Sequence, residues 1–561
     1  MSLNDESESL IQHSPNKYDG LLASGRALHA GEGDSRHGET FDNVPQAKRQ
    51  LGQFSAFFLV FNRVIGTGIF ATPSVILRTS GSVGISFLMW ICGALIAAMG
   101  TAVYIELGSG LPRSGGEKNY LEFIYRKPEF LVTCVFTIYA VITGSAAANS
   151  VVLGEYVIHA LGQEPSRYNT RFVAFLCLTF ILLVHGSMVK WGLRLQNSLA
   201  LFKLVILSAI AFSGVLSLAG IKGFRVRPDY ETPNNFQWDK IWEGSRGDAN
   251  AFVAGLYNVI WSFVGYSTVN YALSEVRDPV RTVKRAVPLA MVAVTAVYMF
   301  INIAYFAVVS KSDILGSKRI VAALFFRNLF GEKMERALSV FIALSTLGNL
   351  LSGQFSHGRV VQELGREGLL PFSAFFASNK PFGAPLAGLF TQYLVSVAFV
   401  VLPPPGDAYL FMISCELLTL LCASETNLDR PTLNTVSSYC AALINLFVSI
   451  GLLLLYTSYL KSYDWNPPFH APKPVIILFV LSNIFLVFVP LIPPASGSKA
   501  YEHLPYWSHA IVAFSVSAIG IAYWFFWVKW LPMKKGYRLV RESVLQVDGV
   551  SRWIYRKVPI I

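Results

Sequence analysis

The stretch NRVIGTGIF, residues 62 to 70, lies in one of the most apolar parts of the chain and carries two glycines and a threonine at its centre. A helix in lipid must satisfy its own backbone hydrogen bonds, because an unpaired polar group in hydrocarbon is costly. Glycines at this depth therefore indicate one of two structures. Either they let a neighbouring helix pack closely, or they mark a broken helix whose free backbone groups bind a polar ligand at the membrane midplane.

The composition predicts a membrane protein. Hydrophobic residues make up 53% of the 561 residues, and charged residues make up only 14%. The hydrophobic fraction is larger than the core of a soluble protein requires. About twelve stretches are long and apolar enough to cross a bilayer as helices. They lie near residues 54–77, 83–108, 129–161, 171–187, 197–220, 252–274, 286–309, 336–357, 384–402, 435–460, 474–493 and 506–530. We therefore expect an all-α polytopic protein surrounded by membrane lipid.

The formal charge of +12 does not point to nucleic acid, because the basic residues cluster in short loops between predicted spans. With a cytosolic N-terminus, the loops after spans two, four and six and the C-terminal segment carry the excess, as the positive-inside rule requires. An even number of spans then leaves both termini in the cytosol. We expect a disordered N-terminal tail over 1–50, a transmembrane domain over 51–530 and a cytosolic C-terminal tail over 531–561.

The cysteines and histidines indicate no further chemistry. The six cysteines form no CxxC pair and the nine histidines no HxH or HExxH spacing. A disulfide framework, a metal site and a bound cofactor are therefore not expected.

A second irregularity lies in the sixth span, in WSFVGYSTVNYALSEVRDP at 261–279, where Gly265 is followed by Ser267, Thr268 and Asn270. Spans one and six occupy matching positions if the first ten spans are two repeats of five. Paired interruptions in matching spans are typical of secondary transporters built from inverted repeats. We therefore expect a 5+5 core with broken helices 1 and 6.

Several motifs together resemble the amino acid permeases of the amino acid–polyamine–organocation superfamily, in particular its L-type branch. They are GTGIF, the SGG of LPRSGGEKNYLE (111–122), the sixth-span segment, and LSTLGN (344–349) with GREGLLP (365–371). Within that branch, IWSFVGYSTVNYAL, PPPGDAYL and WNPP (465–468) are most similar to the fungal high-affinity methionine permeases. The resemblance extends from about residue 50 to about residue 555.

The resemblance implies ten core helices in two inverted repeats plus two peripheral helices, with alternating access around a central site. It also implies roles for individual residues. Unwound backbone at Ile65, Gly66, Thr67 and Gly68 would bind the substrate carboxylate, and carbonyls of Val64, Trp261, Phe263 and Val264 would bind its ammonium group. Half-helix ends suit these charges, since an N-terminus favours an anion and a carbonyl end favours a cation. Because residues 54–77 hold no acid or base except Arg63, we expect a neutral amino acid. Trp261 matches the family's aromatic gate, although a tryptophan simply buried between helices is the alternative.

Charged residues within or beside the spans give further candidates. Lys203 in span five matches a lysine that replaces the coupling ion in sodium-independent relatives. It either exchanges a proton during transport or only braces spans one and eight. Glu275 is a candidate inner gate with Arg359 or Arg366 as partner, against the alternative of a solvated loop cluster.

Three other polar features are ambiguous. Glu106 reads as a helix-end charge that reaches the membrane interface. Asn149 faces either the substrate or a neighbouring helix. The segment CELLTLLCASETNLDRPTLN, 415–434, departs from the family pattern and is either an extracellular insertion or a retained intron in the gene model.

These observations predict a plasma-membrane symporter that imports methionine and related neutral amino acids with protons. The chain is not expected to be an enzyme, since it shows no paired acid–base motif. The alternative is a transport-inactive amino acid sensor of the same fold, for which longer cytosolic tails are expected. Serines and lysines in the N-terminal tail make a ubiquitin-ligase adaptor a candidate partner there.

Overall fold

The computed structural model describes residues 49, 51–143, 145–247, 249–316, 321–331, 333–368, 370–401, 431–463, 465–493, 507–545 and 551–559. The predicted N-terminal tail lies almost entirely outside the described residues, and so do residues 415–430 of the atypical segment. Residues 431–434 form the first turn of a long helix.

Helices make up most of the described chain. In the first half they are α1 Gln53–Val64, α2 Gly68–Ser80, α3 Val83–Gly110, α4 Glu117–Ile124, α5 Leu131–Thr143, α6 Ala147–Ala160, α7 Arg167–Ser187, α8 Val189–Leu218, α9 Trp238–Ile241 and α10 Ala249–Phe263. A 3-10 segment, Thr268–Glu275, follows α10 and completes span six.

In the second half the helices are α11 Pro279–Val308, α12 Lys311–Gly316, α13 Val321–Phe330, α14 Lys333–Arg366, α15 Ser373–Ala377, α16 Leu386–Val401, α17 Pro431–Leu455, α18 Lys473–Phe488, α19 Ser508–Trp524 and α20 Leu531–Lys535. Shorter 3-10 turns occupy Ser458–Tyr463 and Val489–Leu491, and a π-helical stretch, Phe525–Trp530, joins α19 to α20.

Eight helices of the described chain are long and apolar enough to cross a membrane. They coincide with predicted spans two, four to eight, eleven and twelve. Spans nine and ten correspond to the shorter apolar helices Leu386–Val401 and Tyr439–Leu455. Spans one and three are each divided into two helices, which in span three are Leu131–Thr143 and Ala147–Ala160. The structure is therefore that of a polytopic membrane protein.

The first half of span one lies at the centre of the molecule. Helix α1 packs against α8, α11 and α14, and α2 packs against α10. Outward-facing residues of the long helices are large and apolar, including Leu88, Phe172, Phe212 and Val292. Apolar side chains on the outer surface are suited to contact with lipid. On a protein in water, an apolar surface of this extent would mark a binding site for another protein or a membrane.

The expectation of an all-α chain is wrong at the C-terminus. Strands β1 (Tyr537–Leu545) and β2 (Ser551–Pro559) form an antiparallel hairpin in which Tyr537 pairs with Pro559. Both segments are rich in aromatic and β-branched residues, which favour strands. The hairpin docks on the helical domain through Tyr555, whose amide donates to the Glu367 carbonyl oxygen at 3.0 Å.

A candidate substrate site between two broken helices

Span one is interrupted over residues 65–67. Helix α1 ends at Val64 and α2 begins at Gly68, with Ile65 in an extended conformation at ψ +92°. The amide of Ile65 still donates to the Phe61 carbonyl oxygen at 3.0 Å. The first amides of α2 have no acceptor within their own helix, as at any helix N-terminus. The break therefore directs backbone donors away from both half-helices.

Span six is interrupted between Phe263, where α10 ends, and Thr268, where the 3-10 segment begins. Gly265 has φ +132°, which side-chain-bearing residues rarely adopt. A Cβ atom on Gly265 would lie 2.8 Å from Cγ of Arg63 and 3.1 Å from Cγ2 of Val64. The second break thus packs directly on the end of α1.

Tyr298 of α11 connects the two breaks. Its buried hydroxyl lies 3.0 Å from the carbonyl oxygen of Val64 and 2.8 Å from that of Ser262. A phenol has one proton, so it donates to one of these oxygens at a time. Tyr298 therefore holds the carbonyl ends of α1 and α10 around a single hydroxyl group.

The glycines of span one are also closely packed. A Cβ atom on Gly66 would come within 2.8 Å of Asn349 Nδ2, and one on Gly68 within 2.7 Å of Ser262 Oγ. Both structures considered for this stretch are thus present: the helix is broken, and its glycines allow side chains of two neighbouring helices to approach the backbone.

The candidate ammonium ligands differ in how far protein groups already occupy them. The Val64 carbonyl accepts from the Gly66 amide at 3.0 Å and from Tyr298, and the Trp261 carbonyl accepts from the Val264 amide at 3.2 Å. Within the described residues, no protein donor reaches the carbonyls of Phe263 and Val264. These two oxygens are the most available to a ligand.

Lys203 of α8 is fully buried against span one. Its ammonium donates to the Asn62 carbonyl oxygen at 3.4 Å and to the Ile65 carbonyl oxygen. A cation at the carbonyl end of a helix is electrostatically favourable. The two hydrogen bonds brace the C-terminal end of α1, and neither involves span eight.

A cavity of about 160 Å³ lies beside the break in span six. Phe263 and Val264 line it, whereas Trp261 and residues 64–68 do not. Trp261 is half-buried on α10, two residues before the helix ends. The polar wall of the cavity includes Arg63, Glu117, Ser267, Tyr271, His357 and Asn445. The structure thus divides the predicted site residues between this cavity and the packed backbone of span one.

Glu275 pairs with one of its two candidate partners. Its Oε1 lies 3.0 Å from Nε of Arg359, and both side chains are buried. Arg366 instead contacts Glu363 at 2.6 Å. Beside the pair, Leu51 and Val276 form a short parallel β-bridge. These contacts join the segment before span one to the end of span six and to α14.

Asn149 pairs with a neighbouring helix, since its Nδ2 donates to Asn349 Oδ1 at 3.3 Å.

The expectation that Glu106 is an interfacial charge is wrong. Glu106 is fully buried and accepts hydrogen bonds from the Trp465 indole at 2.9 Å, the Ala471 amide at 2.8 Å and the Tyr456 hydroxyl. A carboxylate with three donors can be buried at helix ends because its charge is satisfied.

Sequence reasoning missed three residues that shape the site: Tyr298, Asn349 and Glu117. Asn349 Nδ2 donates to the Arg63 carbonyl oxygen at 2.6 Å, and its Oδ1 accepts from Arg63 Nη1 at 3.2 Å. For Tyr298 and Asn349, the one feature of the sequence that could have indicated a role is a polar side chain within an apolar helix. Glu117 follows the SGG motif, which indicates the family resemblance but not a role for this glutamate.

Comparison with known proteins identifies the family. Residues 51–516 match the model of a family described as amino acid permease. The chain is 41% identical to the high-affinity methionine permease of Saccharomyces cerevisiae, over 94% of this chain and 88% of that protein. It is 29% identical to the low-affinity methionine permease of the same yeast, over 92% and 89%. It is 26% identical to the b(0,+)-type amino acid transporter 1 of Mus musculus, over 82% and 85%.

These relatives are transporters and not enzymes, which confirms the prediction that the chain is not an enzyme. The resemblance to methionine permeases and to the L-type branch is confirmed as well. With two broken spans meeting at its centre and a family match over most of its length, the chain belongs to the amino acid permease family.

Proposed function

We propose that this permease imports methionine and related neutral amino acids across the plasma membrane by proton-coupled alternating access. The substrate assignment is supported by the names of the two yeast relatives. The observation that carries the mechanism is the meeting of both helix breaks at Tyr298, which joins the Val64 and Ser262 carbonyls. Two interrupted helices that meet at one hydroxyl support this mechanism, because secondary transporters form their substrate sites at discontinuous helices.

The proposed architecture has twelve spans with a 5+5 inverted-repeat core and cytosolic termini. Its support is a correspondence in packing. The first half of span one packs against spans five and seven, and the first half of span six packs against spans ten and two. Spans five and seven correspond to spans ten and two under the proposed repeat. The positive-inside distribution of basic loop residues supports the orientation.

For the substrate, we propose that the carboxylate binds the unwound backbone at Ile65, Gly66, Thr67 and Gly68. The ammonium would bind carbonyls from Val64, Trp261, Phe263 and Val264, led by the two carbonyls without protein donors. A zwitterion matches this pair of half-helix ends without any fixed side-chain charge.

Two gates and one coupling residue complete the proposal. Trp261 would cover the substrate from one side, where a large ring can contact a thioether. The buried pair of Glu275 and Arg359 would close the opposite side, because separating the two charges opens a polar path. Lys203 would exchange the coupling proton, with bracing of span one as the alternative role. A ubiquitin-ligase adaptor would act on the N-terminal tail.

The site is tested by a matched pair of tyrosine variants in cells that lack their own methionine permeases. Tyr298→Phe removes the hydroxyl between the two breaks, and uptake of labelled methionine should fall at least about tenfold, since the loss of its one donor hydrogen bond leaves a buried carbonyl without that partner, at a cost of about 1–3 kcal/mol. Tyr305→Phe is the control, because Tyr305 lies on the same helix, is equally buried, and its hydroxyl has no hydrogen-bond partner in the described residues.

Both variants must reach the cell surface in native amounts, which surface labelling measures. Equal uptake by the two variants would remove the central role of Tyr298. Methionine binding to the native chain without any uptake would contradict transport itself.

A further inference from the structure

The loop between spans two and three is closely joined to the second half of span six. The Ser114 amide donates to Ser274 Oγ at 3.1 Å, and the Ser274 amide donates to Ser114 Oγ at 2.9 Å. The Gly116 amide donates to the Asn270 carbonyl oxygen at 3.2 Å. The SGG motif thus holds α4 against the 3-10 segment that follows the break in span six.

Glu117, the first residue of α4, extends this contact into the cavity. Its Oε1 accepts from the Tyr271 hydroxyl of the 3-10 segment at 3.1 Å. The side chain is 5% exposed, and its other oxygen, Oε2, has no hydrogen-bond partner in the described residues. An ionised carboxylate with an unpaired buried oxygen is costly, and its protonated form costs much less.

We propose that Glu117 is a proton-binding residue of this transporter and that the second half of span six responds to its protonation through Tyr271. This inference rests on the proposed function, because it assigns the coupling proton of that transport cycle a site in the cavity. Lys203 then keeps its alternative role, the bracing of span one through the Asn62 and Ile65 carbonyls. A proton enters from the external solution, binds the Glu117 carboxylate, and leaves to the cytosol when the cavity opens there. No covalent bond other than the O–H bond is made or broken.

The surroundings of Glu117 favour the neutral acid. Burial raises the pKa of the Glu117 carboxyl, and hydrogen bonds from tyrosine and serine hydroxyls oppose that shift. The raised pKa means that the acid keeps its proton to a higher pH than an exposed glutamate. Proton loading therefore needs a less acidic external solution than an exposed glutamate would need.

The groups facing Glu117 come from every element around it. They are Tyr104 of α3, Tyr120 of α4, Tyr266 and Tyr271 of span six, and on the other cavity walls Arg63 of α1, Tyr139 of α5, His357 of α14 and Cys440 of α17. Arg63 is the cation among the residues that line the cavity. A cation close to a carboxylate favours its ionised form, so an approach of Arg63 to Glu117 during the cycle would promote proton release.

Glu117→Gln tests the proposal in the full-length protein. A methionine-driven fall in cytosolic pH, read with a pH-sensitive fluorescent protein, should be lost in this variant, and acid stimulation of uptake should disappear. Exchange of labelled for unlabelled methionine at equal pH on both sides should remain measurable, since exchange needs no net proton movement. Methionine-driven proton entry at the native ratio of protons to methionine in this variant would overturn the proposal.

Glu122→Gln is the matched control, because Glu122 lies on the same helix and is buried, but it binds Lys118 and Tyr555 and does not line the cavity. This control should keep acid stimulation, and its loss there as well would overturn a role specific to Glu117.

If Glu117→Gln shows no exchange, the variant Tyr271→Phe tests the proposal instead. Removing that donor destabilises the ionised acid, so the midpoint of the uptake pH profile should shift to higher pH by several tenths of a unit. An unshifted midpoint would overturn the proposal.

The native chain separates this inference from the proposed function. If the native chain takes up no methionine, or takes it up without proton entry, the proposed function fails irrespective of Glu117. If the native chain couples protons and Glu117→Gln does so equally, only the present inference fails.

Discussion

Single polar residues organise the interior of this permease because each satisfies backbone groups that a broken helix leaves unpaired. Asn349 binds the Arg63 carbonyl, Lys203 binds the carbonyls of Asn62 and Ile65, and Tyr298 reaches Val64. The buried C-terminal end of α1 is therefore held by side chains from three different helices. In an apolar interior such bonds have no water to compete with, which makes the pairing strongly preferred.

Trp261 carries a prediction at this scale. If it closes over the substrate, Trp261→Ala should raise the KM for methionine several-fold with little change in surface abundance, because truncating a large aromatic contact removes apolar contact area. Uptake kinetics over a range of methionine concentrations measure the effect. Trp238→Ala serves as control, since Trp238 is 80% exposed in the loop between spans five and six. Unchanged kinetics in Trp261→Ala would leave this residue as a packing tryptophan.

At the scale of elements, the break in span six depends on one backbone conformation. Gly265 combines φ +132° with close contact to the Arg63 side chain and backbone, so a side chain there is both strained and obstructed. The contact also explains why the two breaks lie together: the absence of a Cβ atom lets the second break approach α1.

We therefore expect Gly265→Ala to abolish most methionine uptake, by at least about tenfold, since strain at such a position costs roughly 1–3 kcal/mol. Gly223→Ala is the comparison, because Gly223 also has positive φ, at +96°, but nothing lies within 4 Å of its missing side chain. Uptake corrected for surface abundance gives the result. Similar losses in both variants would mean that backbone strain alone, and not the contact between breaks, accounts for the effect.

The C-terminal hairpin also depends on contacts with other elements. Tyr555 is buried, donates its hydroxyl to Glu122 at 2.8 Å, and lies edge-on to Phe130 with ring centroids 4.5 Å apart. A segment that reads as a charged cytosolic tail thus becomes part of the folded domain, because α4 and the end of α14 provide a partner surface that the segment itself does not encode.

At the scale of the whole molecule, one buried ion pair connects regions that are far apart in the chain. Glu275 ends span six, Arg359 lies on α14, and Leu51 before span one is bonded to the same place. Breaking one partner of a buried pair leaves an uncompensated charge, which costs about 3–5 kcal/mol.

Charge exchange tests whether this pair acts as a gate. Glu275→Arg and Arg359→Glu should each reduce methionine uptake strongly, while the double variant should recover a substantial part of it, because the attraction is restored with reversed sign. Uptake and surface abundance of all three variants provide the measurement. A double variant as inactive as the single ones would show that the individual side chains matter beyond their charge.

The hydrogen-bond partners of Glu106 and Glu117 could not be predicted from the sequence. Glu106 lies near the end of span two and Glu117 lies shortly after it, and the local sequence does not reveal the partners of either carboxylate. One accepts three hydrogen bonds and anchors the loop containing Trp465, and the other has an unpaired oxygen in a cavity. The difference arises from residues more than a hundred positions away, which hydropathy and spacing cannot place.

The sequence by itself determined the membrane class, the family and the positions of the two helix breaks, because apolar length and glycine placement act locally on the backbone. Only the tertiary structure decided which backbone groups remain open to a ligand, that Tyr298 joins the breaks, and that the SGG loop presents Glu117 to the cavity. These depend on contacts such as that of Tyr298 with Val64, which are 234 residues apart. In an interior without water each polar group must find a protein partner, and folding alone determines which partners come within reach.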